Sequence, residues 1–185
     1  MRIADDFGNW LAGYLDGEAT FNAVVYQPQG RTAHNINISM AVGARADDYP
    51  LLSYCREQTG LGQLYPRPAQ GKDSEHSRSN PCWIWKVASK ADCAALVELL
   101  TQYPLRSRKR KDFNVWCKIV HEASKRQPSV ARRDGGGSIS VNDPTRIEEL
   151  IDELKAGREY DDQYESAESF VADLTTTERH GTLVA

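Results

Sequence analysis

Two stretches of period-two alternation, each interrupted by helical repeats, restrict this chain more than any other feature. In TFNAVVYQPQG from Thr20 and TAHNINISMAVG from Thr32, the apolar residues Phe21, Ala23 and Val25, then Ile36, Ile38, Met40 and Val42, fall on one side. That pattern predicts two strands with one buried face, joined as a hairpin near Gly30. A second pair, LGQLYPRP from Leu61 and PCWIWKVAS from Pro81, is separated by the polar loop AQGKDSEHSRSN. Trp83, Trp85 and Val87 share a side there, which reads as core rather than as a base-stacking surface.

Helical spacing fills the intervals. Leu11, Tyr14 and Leu15 mark a first helix that Asp6 or Asn9 can cap, and Leu51, Leu52 and Cys55 mark a second from Asp47 to Gln58, stopped by Gly60. Ser89 reads as an N-cap with Asp92 in the first turn, opening a third helix through Ala94, Leu96, Val97 and Leu100. A fourth is expected from Asp112 to Ala123. The result is an α+β domain whose helix, two strands, helix, two strands, helix order places a four-stranded antiparallel sheet with one face against helices.

Antiparallel sheets tolerate one solvated face, so the bare face is where function is to be sought. By the alternation it carries Asn22, Val24 and Tyr26, then Asn35, Asn37 and Ser39, then Tyr65 and Arg67, then Ile84 and Lys86. Amide, hydroxyl and cationic groups on a twisted ribbon suit the reading of base edges in a major groove.

Charge separates the chain into two parts. The net charge is −3, yet residues 1–133 hold 19 Lys and Arg against 13 Asp and Glu, whereas residues 134–185 hold 4 against 13. The first part is basic and the second strongly acidic. Cys55, Cys82, Cys93 and Cys117 form no CxxC pair and read as core thiols, and His34, His76, His121 and His180 show no ligand spacing.

The first helix ends in WLAGYLDGEATF, with Asp16 and Glu18 at a terminus whose unsatisfied carbonyls disfavour negative charge. Such placement points to a reward other than helix stability. Gly13 and Gly17, with Ala12 beside them, leave a helix face without bulk, a geometry that lets two helix backbones approach closely. If two copies cross there, Glu18 of each lies near the axis, and a hard divalent cation with retained waters would offset the repulsion of the carboxylates.

Leu11-Ala12-Gly13-Tyr14-Leu15-Asp16-Gly17-Glu18-Ala19 resembles the signature of the LAGLIDADG homing endonucleases, and the element order resembles their αββαββα fold over about residues 8–123. A second likeness is YPLRSRKRKDFNVWCKIV from Tyr103, similar to the basic segment before the family's last helix. The resemblance implies a metal-dependent DNA endonuclease with Mg²⁺, or Mn²⁺ in its place, as cofactor. Glu18 is then the catalytic, metal-binding acid. Lys109 is the basic residue near the scissile phosphate, or Arg108 if the register shifts by one. DNA contacts are expected from Asn22, Val24, Tyr26, Asn35, Asn37, Ser39, Arg45, Tyr65, Arg67 and Lys86 on the sheet, and from Arg106, Arg110 and Lys111 in the basic run. Only one motif is present, as in the homodimeric members, so Leu11, Ala12, Gly13, Leu15, Asp16 and Gly17 are expected at a two-fold interface and the target is expected to be long and nearly palindromic. Two departures stand out: Ala19 where glycine is usual, and Ala44-Arg45 where a polar, water-positioning group is expected.

Residues 1–131 are expected to form this domain, 132–143 a Gly-rich linker, 144–158 an amphipathic helix through Ile147, Leu150, Ile151 and Leu154, and 159–185 an acidic, flexible tail. The chain shows no signal peptide and no run of ~18 apolar residues, which points to a cytoplasmic protein acting on intracellular DNA without a membrane. Two other functions remain open at this point: a DNA-binding regulator without cleavage, and an RNA maturase assisting intron splicing. The sequence does not distinguish intron homing from a free-standing element.

Overall fold

A computed structural model of the chain describes residues 3–29, 34–68, 80–125, 129–131, 138–140 and 144–158, with only the backbone of 129–131 and 138–140. The elements are α1 (Asp5–Glu18), β1 (Thr20–Tyr26), β2 (Asn35–Arg45), a 3₁₀ turn (Ala46–Asp48), α2 (Tyr49–Thr59), β3 (Gln63–Arg67), β4 (Cys82–Val87), α3 (Lys90–Gln102), α4 (Lys109–Ser124), β5 (Ser129–Ala131), β6 (Ser138–Ser140) and α5 (Thr145–Ala156). The first four strands form one antiparallel sheet in the order β1-β2-β4-β3, so the inner strands of the two hairpins pair with each other.

The inward set follows the alternation. Phe21, Ala23, Ile38, Met40, Val42, Trp85 and Val87 are buried against the helices, while Val25 and Ile36, near the end of the first hairpin, are only half covered. Trp85 also donates its indole N–H to the Leu61 carbonyl at 2.8 Å, so this buried indole leaves no polar atom unpaired. Trp83 packs its ring 4.6 Å from Tyr49. Gly62, with φ of 70°, lies against the Lys86 carbonyl, where a Cβ would collide with backbone.

Ser89 caps α3 as its sequence predicts, accepting the Asp92 amide at 3.0 Å. Gly60 ends α2 in the left-handed conformation, φ 66°. Other boundaries shift. Helix α1 begins at Asp5, with Asn9 donating to the Asp5 carbonyl rather than capping the start. Helix α4 begins at Lys109, three residues before the expected Asp112, so half of the basic run is helical. Residues 138–140, expected within the linker, pair with 129–131 as a small antiparallel ribbon. The glycines between them and residues 159–185 lie outside the described residues. Helix α5 ends near Gly157 as its pattern predicts, burying Ile147, Leu150, Ile151 and Leu154 against α4 and the β1 side of the sheet. Among the described residues no helix is long and apolar enough to cross a membrane.

Candidate nuclease site

The C-terminal end of α1 and the N-terminal end of α4 meet, and each carries charge of the sign its own dipole disfavours. The conflict is resolved between the two helices. Asp16 accepts the Arg106 amide at 2.9 Å, the Ser107 amide at 2.7 Å and the Ser107 hydroxyl at 2.6 Å. Ser107 Oγ in turn accepts the Lys109 amide at 3.1 Å, which satisfies an orphan donor at the start of α4. Lys109 Nζ donates to the Gly17 carbonyl at 2.8 Å, placing a cation where α1 carries its partial negative charge.

Glu18 is the carboxylate left over. It is exposed, and among the described residues no hydrogen bond or ion pair holds it. Partial burial draws the Lys109 ammonium below the usual lysine range, and Asp16, Glu18 and Asp112 act against that shift. Burial, helped by Cys55, Glu18 and Asp48, pushes the Tyr14 hydroxyl up to about 12. Of the two candidates for the basic catalytic residue, Lys109 is the one at the α1 terminus; Arg108 instead points to α5, donating to the Gly157 carbonyl at 3.2 Å.

Most of the expected sheet residues share the open face. Register places Val24 beside Asn37 and Tyr26 beside Asn35, which donates to the Tyr26 hydroxyl at 3.2 Å, and Tyr65 beside Ile84. Asn22, Val24, Tyr26, Asn35, Asn37, Arg45, Tyr65, Arg67 and Lys86 are exposed, Arg45 being paired with Asp47 at 2.7 Å. Ser39 lies opposite Asn22 in the same row of this face but is only 9% exposed. Gln63 and Thr20, exposed in the same row as Lys86 and Ala41, belong to this face and were missed, because each lies at the very end of its strand. Arg106 and Lys111 are exposed and Arg110 is half-buried.

The expected interface set also changes. Leu11 and Leu15 are 0% exposed and Ala12 is buried, so all three serve the chain's own core. Asp16 is committed to Arg106 and Ser107. Gly13 and Gly17 do lie on an open face, with no neighbouring atom within 4 Å of the position a Cβ would take. Beside them stand residues not assigned from sequence: Trp10, 42% exposed and stacked 5.6 Å from Tyr14, and Tyr54, 46% exposed. Ser107 was missed as well; a hydroxyl residue just before a helix was the available signal.

A family profile described as LAGLIDADG endonuclease matches residues 11–120, the span from the α1 motif to the end of the α4 core. The chain belongs to the LAGLIDADG endonuclease family. The fold is similar to LAGLIDADG homing endonuclease I-GzeII in complex with its DNA target, at 18% identity and a TM-score of 0.51, covering 62% of this chain and 35% of that one. It is likewise similar to the I-SmaMI LAGLIDADG homing endonuclease bound to cleaved DNA, at 17% identity and a TM-score of 0.58, covering 82% and 44%. Similarity to the homing endonuclease I-TnaI extends over nearly both chains, 94% and 97%, at 16% identity and a TM-score of 0.58. This LAGLIDADG chain thus spans less than half of I-GzeII and I-SmaMI. No curated protein matched the sequence.

The family implies a divalent metal. Among the described residues of one chain, no three His, Cys, Asp or Glu side chains gather as ligands. Mg²⁺ needs only one or two carboxylates, completing its shell with water and phosphate oxygens, so the exposed, uncommitted Glu18 fits such an ion.

Proposed function

We propose that the chain is a site-specific DNA endonuclease that works as a homodimer and makes metal-dependent double-strand cuts at a long, nearly palindromic target. The observation that carries this reading is the junction of α1 and α4. There an uncommitted carboxylate, Glu18, stands next to a cation, Lys109, held at the Gly17 carbonyl. Family membership and the DNA-bound relatives of the same fold support the substrate.

In this reading the open sheet face lies in the major groove. Asn22, Asn35, Asn37 and Lys86 contact base edges, and Arg106, Arg110 and Lys111 contact phosphates. Glu18 from each copy would hold Mg²⁺. Bound there, the ion would supply Lewis-acid stabilisation of negative charge on the phosphate and leaving oxygen. Lys109 offers a fixed positive charge beside the reacting phosphate, and because Gly17 already orients its ammonium, little reorganisation accompanies the reaction. Water is added across one P–O bond on each strand.

Dimerisation is supported by the open face of α1. Gly13 and Gly17 form its floor and Trp10 and Tyr54 an aromatic flank, the residue types that dominate helix close-approach and interface energetics. The crossing places the two copies of Glu18 on either side of the axis.

The test is to incubate the protein and its Glu18→Gln variant with host genomic DNA, with Mg²⁺ or with chelator, and to sequence new ends. Recurrent ends at one nearly palindromic site, made only by wild type with metal, support the endonuclease. Binding without recurrent ends favours the non-cleaving regulator, and preference for structured RNA favours the maturase.

A further inference from the structure

The basic run and the acidic extension are joined by a contact that the family motif does not involve. At the end of α5, Arg158 donates to Asp112 Oδ2 at 3.2 Å, in the first turn of α4, and to the main-chain carbonyl of Phe21 in β1. The neighbouring Gly157 carbonyl accepts from Arg108, the residue just before α4. One residue thus ties together a strand of the sheet, the start of α4 and the end of α5, around a cavity also lined by Asp16, Ser107 and Lys109. We infer that Arg158 is a positioning residue for cleavage: it fixes the first turn of α4 so that Lys109 stays at the Gly17 carbonyl beside Glu18.

Two physical effects act in the same direction. Planar guanidinium donors in a fixed fork can bridge a carboxylate and a carbonyl, which an ammonium does poorly. Arg158 also occupies the Asp112 carboxylate, which lies near enough to attract Lys109. Without Arg158, Asp112 competes with Gly17 for the Lys109 ammonium, and the cation can swing away from Glu18. Arg108, bound to Gly157, reinforces the junction from the other side. The end of α5, in this view, supports the cleavage site.

This inference rests on the nuclease reading only for its functional half, so its test has two readouts. Hydrogen exchange at the amides of residues 106–112 is measured in the full-length chain for wild type, Arg158→Met and Arg158→Lys. Glu153→Gln, which breaks the Lys118–Glu153 pair elsewhere on the α4–α5 seam, serves as the packing control. Single-turnover cleavage and DNA binding are measured alongside on the target recovered from genomic DNA.

Arg158→Met is expected to raise exchange at 106–112 about tenfold with α3 amides unchanged. It should also slow cleavage about tenfold or more at undiminished DNA affinity. Arg158→Lys should recover part of the rate, and Glu153→Gln should cut normally. Unchanged exchange in Arg158→Met overturns the inference, as does faster exchange with a wild-type rate. If wild type itself never cuts while Arg158→Met still loosens residues 106–112, the nuclease reading falls and the positioning of α4 by Arg158 stands.

Discussion

Ser107 gives both its amide and its hydroxyl to Asp16, at 2.7 and 2.6 Å, across 91 residues of sequence. The first acid of the motif is therefore a clamp on the segment that delivers Lys109, and its place at a helix C-terminus is rewarded by three donors from elsewhere in the chain. Charge-assisted bonds of this kind are about twice as strong as neutral ones.

Replacing Asp16 by alanine removes all three bonds and leaves the Ser107 hydroxyl only its bond from the Lys109 amide. A loss of about 2 kcal/mol is expected for bonds to a partly exposed charged group, read as a lower denaturant midpoint at unchanged slope. Cleavage should fall with it although Glu18 is intact. An unchanged midpoint would remove the clamp from the account.

Glu18→Gln is expected to behave in the opposite way. Removing an exposed negative charge from the end of α1 should stabilise the fold by about 0.3 kcal/mol, while metal-dependent cutting is abolished and DNA binding is retained. Thermal unfolding and cleavage of the same preparation check both halves. Loss of stability together with activity would instead make Glu18 structural.

Gly13→Leu separates the chain's own fold from its assembly. No neighbouring atom lies within 4 Å of the new Cβ, and leucine favours helix over glycine by roughly 0.8 kcal/mol. The monomer should therefore unfold no earlier than wild type. Sedimentation should show dissociation to monomers and double-strand cutting should disappear. A stable dimer of Gly13→Leu would place the interface elsewhere.

Burial pushes the Cys55 thiol up to about 11 and the Cys93 and Cys117 thiols up to about 12. A raised thiol value keeps the group protonated as pH rises, so at pH 8 the thiolate fraction is about one in a thousand or less at each. Alkylation of native protein at pH 8 should spare these three and reach them only in denaturant. Rapid labelling of Cys55 or Cys93 in the native state would contradict their place in the core.

Local pattern determined a good part of this molecule. The side-chain alternation from Phe21 to Val42 settles which strand faces are buried, because the pleat has a period of two whatever lies beyond it. Ser89 announces its helix through a bond to a residue only three positions away. The motif itself named the family. Tertiary structure decided the rest. Leu11 and Leu15 could serve a partner or the core equally well by spacing alone; only the helices and strands packed beneath α1 turn them inward and leave Gly13 and Gly17 open. Helix α4 starts at Lys109 against its own dipole because the end of α1, distant in sequence, brings Asp16 and the Gly17 carbonyl to meet it. Arg158, at the end of a segment that the sequence reads only as an amphipathic helix, reaches Asp112 and Phe21 because α5 buries its apolar stripe against α4 and β1. Periodicity and capping are written in neighbouring residues, whereas pairings between distant segments arise only when the hydrophobic core brings their surfaces together.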